Sequence, residues 1–445
     1  MTLAPLKLAF AGRVDAKSIA RDHHEPGWLL DERLDAARLV ASLPGESNPL
    51  FTPYLDLRPL RLHEVHPYPR VTHLPEAGDA PLPAGAGALL HIEEDRVVAH
   101  VLGDEARAAG VVVDTFQNVF RRRPELVRKA IEGGLSLPAD DAFAQVARTA
   151  SVVGVLVHVP AGVTLEAPIV LRWGAGVSGR GLISRTVVVL GDGAKASLLE
   201  EHVASPRASD ATQSLWWGTL EVQLGSGATL DVAGEQDLGH GTSMIVNRHA
   251  TLERDATLRW AMANVGGGFV RSRIDNQLVG RASSVRQVEI GFGGGSQLFD
   301  LTSYTRHIGE DTTGDLLSKG VFLDRARGYF KGLIDIERSA KGTDSFLGEF
   351  AMLLTRKARS VAIPSLEIDQ PDVRRASHAS SVGPIDETQI FYLMSRGLSR
   401  EEARKSIVLG FLEPVVARIP LGDAQDRLRR LLEDKWPAAA EPVAA

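Results

Sequence analysis

Cysteine is absent from all 445 residues. That excludes disulfides, thiol nucleophiles, zinc ribbons and any cluster held by this chain's own thiolates. Aromatic residues are scarce at 6%, while glycine is plentiful at 43 residues. This balance favours turns and repetitive backbone over a helical bundle. A basic surplus is also missing: 50 Lys+Arg stand against 56 Asp+Glu, a formal charge of −6, which argues against a nucleic-acid binder. Long apolar runs are lacking too. The best candidate, 151–163, carries His158 and Pro160 and falls short of the roughly 20 residues a membrane span needs. The N-terminus has no basic segment ahead of its apolar stretch and does not read as a signal peptide. A soluble, cytoplasmic protein is the expectation. No GxxxxGK[ST], GxSxG or HExxH occurs, so the chain is not itself an ATPase of the P-loop type.

What is present changes along the chain. Residues 1–145 mix short apolar segments, a Pro- and Gly-rich stretch at 67–87 and a basic helical segment at 117–134 that Gly133 and Gly134 should stop. From about 146 the sequence turns to β-branched runs with alternation, divided by glycine turns. A weak repeat aligns Ala194, Ala228 and Ala256, separated by 34 and 28 residues. Long strands at such a period, without helices between them, point to a β-solenoid whose rungs bury their apolar faces against one another. A β-sandwich is the alternative. The solenoid is expected over 146–375.

Residues 376–445 switch to helix. Asp386 with Gln389, and Ser399 with Glu402, have capping-box spacing. Apolar residues at 407, 408, 411, 412, 415, 416 and 419 form one stripe. Pro414 should kink or break that helix near 410–413, and a last helix should start at Asp423. The stripe needs a surface: the solenoid's end, or another protein.

Most site motifs dissolve on inspection. Gly174, Gly176 and Gly179 match GxGxxG but precede a strand, not the helix a dinucleotide needs. His63, His66 and His73 lie in a Pro-rich segment and read as surface residues rather than metal ligands, and the pair His23 and His24 is a weaker metal candidate still. His158 sits on an alternating strand, half buried. His378 differs, because it lies among small residues where the last strand should give way to the first C-terminal helix. On its residues alone it is either a loop histidine or a nitrogen ligand for a borderline metal.

Several linked segments resemble one family. They are DAFAQVARTASVVGVLVHVP at 141–160, HIGEDTTGDLLSKG onward through KGTDSF at 307–346, IPSLEI at 363–368, SHASSVGPID at 377–386 and FYLMSRG at 391–397. In this order they resemble the SufB/SufD family, scaffold components of iron–sulfur cluster assembly, over about 141–433. The resemblance implies a mainly β chain: a right-handed parallel β-helix flanked by N- and C-terminal helical regions. It implies a heterodimer of SufB-like and SufD-like subunits with a SufC-like ATPase on the C-terminal helices. Docking would involve Phe391, Tyr392, Arg396, Ile407, Phe411 and Val415. The chain would be a non-enzymatic scaffold that binds no cofactor tightly by itself. A transient cluster or iron would sit at the seam with SufB.

The missing cysteines place the chain on the SufD-like side, where the histidine of this junction is tied to iron or cluster handling. Here that residue is His378. Two positions depart from the common SufD pattern, Ala376 where cysteine is frequent and Ala379 where glycine is. The competing expectations are a homodimeric SufD-like scaffold or iron-handling protein and, remotely, a β-helix polysaccharide enzyme.

Overall fold

The computed structural model describes residues 5–12, 14–132, 137–419 and 422–436. The glycine pair at 133–134 and the tail beyond 436 lie outside the described residues. Two long parallel sheets wind together as a β-solenoid of about eight turns, with helices toward both termini. Sixteen strands build it, from Val153–Val159 to Arg375–Gly383. Successive strands alternate between the sheets, so each strand pairs with those two places before and after it in the chain. The first sheet runs from Val153–Val159 to Arg359–Ile368, the second from Ile169–Ala175 to Arg375–Gly383.

The repeat in the sequence is the corner of each turn. Ala194, Ala228 and Ala256 precede strands paired in register and are fully buried. A larger side chain at this inner corner would collide with the rung beside it, since interiors are packed without voids. The GxGxxG stretch is likewise a turn: Gly176 (φ 134°) and Gly179 (φ 69°) join Ile169–Ala175 to Arg180–Leu190.

The two ends differ. At the first end, Val112–Thr115 pairs antiparallel with Val153–Val159, and the hairpin Ala88–Glu93/Arg96–Leu102 adds parallel to Ile169–Ala175. The N-terminal region thus lends strands to both sheets and covers their first edges. Helix Ala142–Ala150 then lies on the outer face of the first sheet, where the Trp217 indole donates to the Phe143 carbonyl at 3.0 Å.

Asp141 fixes that helix. Its carboxylate caps the helix by accepting from the Phe143 and Ala144 amides (2.8 and 3.0 Å). It also accepts from Asn247 and from the guanidiniums of Arg271 and Arg273. Burial would raise its pKa, but the two arginines outweigh that and hold it well below the carboxylate range.

The C-terminal helices are Glu387–Met394, Arg400–Val416 and Gly422–Asp434. Arg400–Val416 runs unbroken through Pro414, contrary to the expected break, because the proline falls in the last turn and costs little helix beyond it. Ser399 and Glu402 form the full capping box; Asp386 caps through the Thr388 amide instead. The expected boundary at 376 cuts the last strand, which extends to Gly383.

Removing the Asp141 carboxylate leaves the buried Arg271 guanidinium without its ion-pair partner and takes from Arg273 one of two, the other being Asp275. Asp141→Ala is therefore expected to destabilise the fold by about 3–5 kcal/mol, measured by urea unfolding against the wild type.

Candidate functional site

The far end of the solenoid is open. Among the described residues, Arg359–Ile368 pairs only with Arg327–Ile336, and Arg375–Gly383 only with Asp344–Leu353. Each presents one unpaired backbone edge, which natural proteins normally cover. Ile368 and Val382 on this rung are exposed.

His378 lies in the middle of the terminal strand, not in a strand-to-helix loop as the sequence suggested. It is the last member of one column along the second sheet: Ile169, Leu198, Val232, Trp260, Gln287, Leu316, Leu347, His378. Every earlier member is buried, whereas His378 is exposed because no rung follows. The position is an interior one that the fold leaves uncovered. Chemically it offers a single imidazole. Among the described residues no group of three or more His, Cys, Asp or Glu could hold a metal ion, so a metal held at His378 needs further donors from outside this end of the chain.

The neighbouring column was invisible in the sequence. It runs Glu200, Gly234, Met262, Glu289, Ser318, Glu349, Ser380 and carries three interior carboxyls. Glu200 is matched by Arg248 at 2.6 Å. Glu289 accepts from Ser272 (2.6 Å) and Asn264 (3.1 Å), yet burial pushes it up to about 7. Glu349, one rung behind the open end, has no partner for Oε2, and burial pushes it up to about 8. A neutral carboxyl one rung beneath His378 can give or take a proton near neutral pH.

The expected docking residues divide. Phe391 (71% exposed), Tyr392 (56%) and Met394 stand on Glu387–Met394 in solvent, with the Arg396 guanidinium 5.3 Å from the Tyr392 ring. The apolar stripe does not face outward. Val408, Leu412, Val415 and Val416 are fully buried against Val288, Ile290, Phe292 and Val321 on the outer face of the second sheet. Ile407 and Phe411 are half-buried at its margin, where Lys319 donates to the Phe411 carbonyl at 3.0 Å. The stripe thus packs on the solenoid's flank rather than its end, and Val415 is not on a surface open to a partner. Arg427 clamps the last helix to the same sheet through Glu201 and Glu235. Of the other histidines, His63 is exposed and His158 half-buried, as expected.

Residues 173–411 match the family model described as SUF system FeS cluster assembly, SufBD core domain. The chain belongs to this family. It is similar to the iron-sulfur cluster assembly protein SufD of Bacillus subtilis, 28% identical over 434 residues, covering 94% of this chain and 96% of the relative. It is also similar to SufB of the same organism, 25% identical, covering 94% and 91%. A SufBD family protein of Staphylococcus epidermidis matches at 25%, covering 93% and 90%. The protein is thus a SufB/SufD-family member of iron–sulfur cluster assembly. No described helix is long and apolar enough to cross a membrane.

The raised pKa of Glu349 has a stability signature. Its carboxyl binds a proton more tightly folded (about 8) than at its ordinary 4.5, so its contribution is complete below 4.5 and is lost as pH rises towards 8. Relative to Glu349→Gln, wild-type stability should fall by up to ~1.4 kcal/mol per pH unit across that window. Parallel unfolding curves at several pH values check this; identical pH profiles would refute it.

Proposed function

We propose that this chain is the thiol-free, SufD-like subunit of a two-chain scaffold, meeting a cysteine-bearing SufB-like subunit at the open end of the solenoid. The observation that carries the reading is the uncovered terminal rung, with His378 at the end of a buried column. An unpaired parallel edge is completed by another strand or another chain. A partner seated there would bring its own side chains to His378. Thiolate from one subunit and imidazole from the other make a chemically sound mixed ligand set for an iron–sulfur cluster. The cluster is cargo: a site incomplete in either subunit alone can be filled and then emptied when the subunits part. The chain contributes a donor and a surface, and no covalent step.

The exposed Phe391, Tyr392 and Met394, beside Arg396, suit the docking of a SufC-like ATPase. Aromatic and arginine anchors of this kind dominate protein interfaces. Ile407 and Phe411 would line its edge. A second reading, pairing of the open end with another copy of this chain, is favoured by the same unpaired edge.

Co-expression with SufB-like and SufC-like partners should yield a complex that accumulates iron and sulfide. His378→Ala should lower its iron content several-fold while the complex stays intact, as read by elemental analysis after gel filtration. Unchanged loading would refute the ligand role, and a homodimer that excludes SufB, seen by light scattering, would favour the second reading. Separately, the double variant Phe391→Asp/Tyr392→Asp should lose the co-purifying ATPase, a weakening of about 2 kcal/mol or more. Retention at wild-type stoichiometry would move the docking surface elsewhere.

A further inference from the structure

A second site candidate lies at the opposite, covered end and owes nothing to the reading above. Where the N-terminal region meets the first rung there is a cleft of about 510 Å³, a size that suits a small organic molecule. Its walls come from the end of helix Ala16–Asp22, the short strand Thr72–His73, helix Phe116–Arg122 and the start of Val153–Val159. The apolar part of the lining is Val71, Val97, Phe120 and Val153. Phe120 is held in place edge-on by Trp28, ring centroids 6.2 Å apart.

The charged lining is one-sided. Arg70 and Arg121 both face the cleft, and neither makes an ion pair with a described residue. The lining holds one carboxylate, Asp22, which Arg21 already neutralises at 3.1 Å. Deeper in, the side chain of His23 is only 6% exposed. Its Nδ1 is engaged by the Gln117 amide at 3.1 Å, with Glu25 at 3.7 Å. Its Nε2 has no hydrogen-bond partner. Glu25 does not cancel the arginines of the cleft, because Arg33 takes both its oxygens at 2.7 Å. A protein of net charge −6 therefore gathers two free guanidiniums and an unpartnered imidazole nitrogen around one hollow with an apolar lining.

We propose that this cleft binds a small organic anion, a phosphate or carboxylate on an apolar body, with Arg70 and Arg121 gripping the oxyanion and the body resting on Val71, Val97 and Phe120. Guanidinium forks match both oxyanions in planar, bidentate geometry, which a lysine would not. The same one-sided charge disfavours a metal cation. The apolar lining selects against a bare inorganic anion, which would leave it wet.

Isothermal titration calorimetry on the full chain tests this with four probes: phenyl phosphate, benzoate, phenol and inorganic phosphate. At least one of the two aromatic anions should bind with one-to-one stoichiometry, and whichever binds tighter names the head group. Phenol and inorganic phosphate should each bind at least tenfold more weakly than that anion. Arg70→Ala/Arg121→Ala should weaken it at least tenfold with an unchanged melting temperature, since both side chains are exposed. If that double variant melts early, Arg70→Gln and Arg121→Gln taken singly supply the comparison. The proposal is overturned if neither aromatic anion binds, if phenol binds equally well, or if the arginine variants bind like the wild type.

Discussion

A rung of a β-solenoid cannot stand alone. Its inward side chains and half its backbone groups are satisfied only by the rung on either side, so stability is a nearest-neighbour property and each end is a problem to be solved. Everything distinctive in this protein follows from how the two ends are treated. The first is closed by strands and helices that arrive before the solenoid begins. The last is left unpaired on both sheets.

That asymmetry explains why a residue as ordinary as His378 is noteworthy. Within the solenoid its column is filled by Leu347, Leu316, Gln287 and Trp260, all out of water. The same lattice position at the open end is an accessible imidazole. The carboxyl of Glu349 behind it is a buried group without its full set of partners, of the kind that sequences otherwise avoid. The C-terminal helices are spent differently. Their apolar stripe is consumed on the flank of the second sheet, leaving the short helix with Phe391 and Tyr392 as a surface without a partner among the described residues.

The sequence announced the solenoid because its corners repeat: Ala194, Ala228 and Ala256 recur where the chain turns inward. It announced the helices because capping residues and stripes are local signals. It hid the column of Glu200, Glu289 and Glu349, since turns of unequal length bring distant positions into register without any fixed spacing. It also hid the strand that carries His378. The segment RASHASSVG has low β propensity, and it is extended because Asp344–Leu353 templates it. The stripe at 407–419 was legible as apolar, but nothing local says which flat surface it will meet. Pro414 was read as a breaker, though its effect depends on how much helix remains after it.

Because the strands pair in register without slipping, the solenoid also works as a ruler. Seven steps of strand spacing separate Ile169 from His378, roughly 34 Å at ~4.8 Å each. The distance is counted in whole turns rather than in residues. Loops between strands can lengthen or shorten without moving either end, as the unequal spacing of the corner alanines already shows. Only the gain or loss of an entire turn would alter the span, and it would do so in one discrete increment.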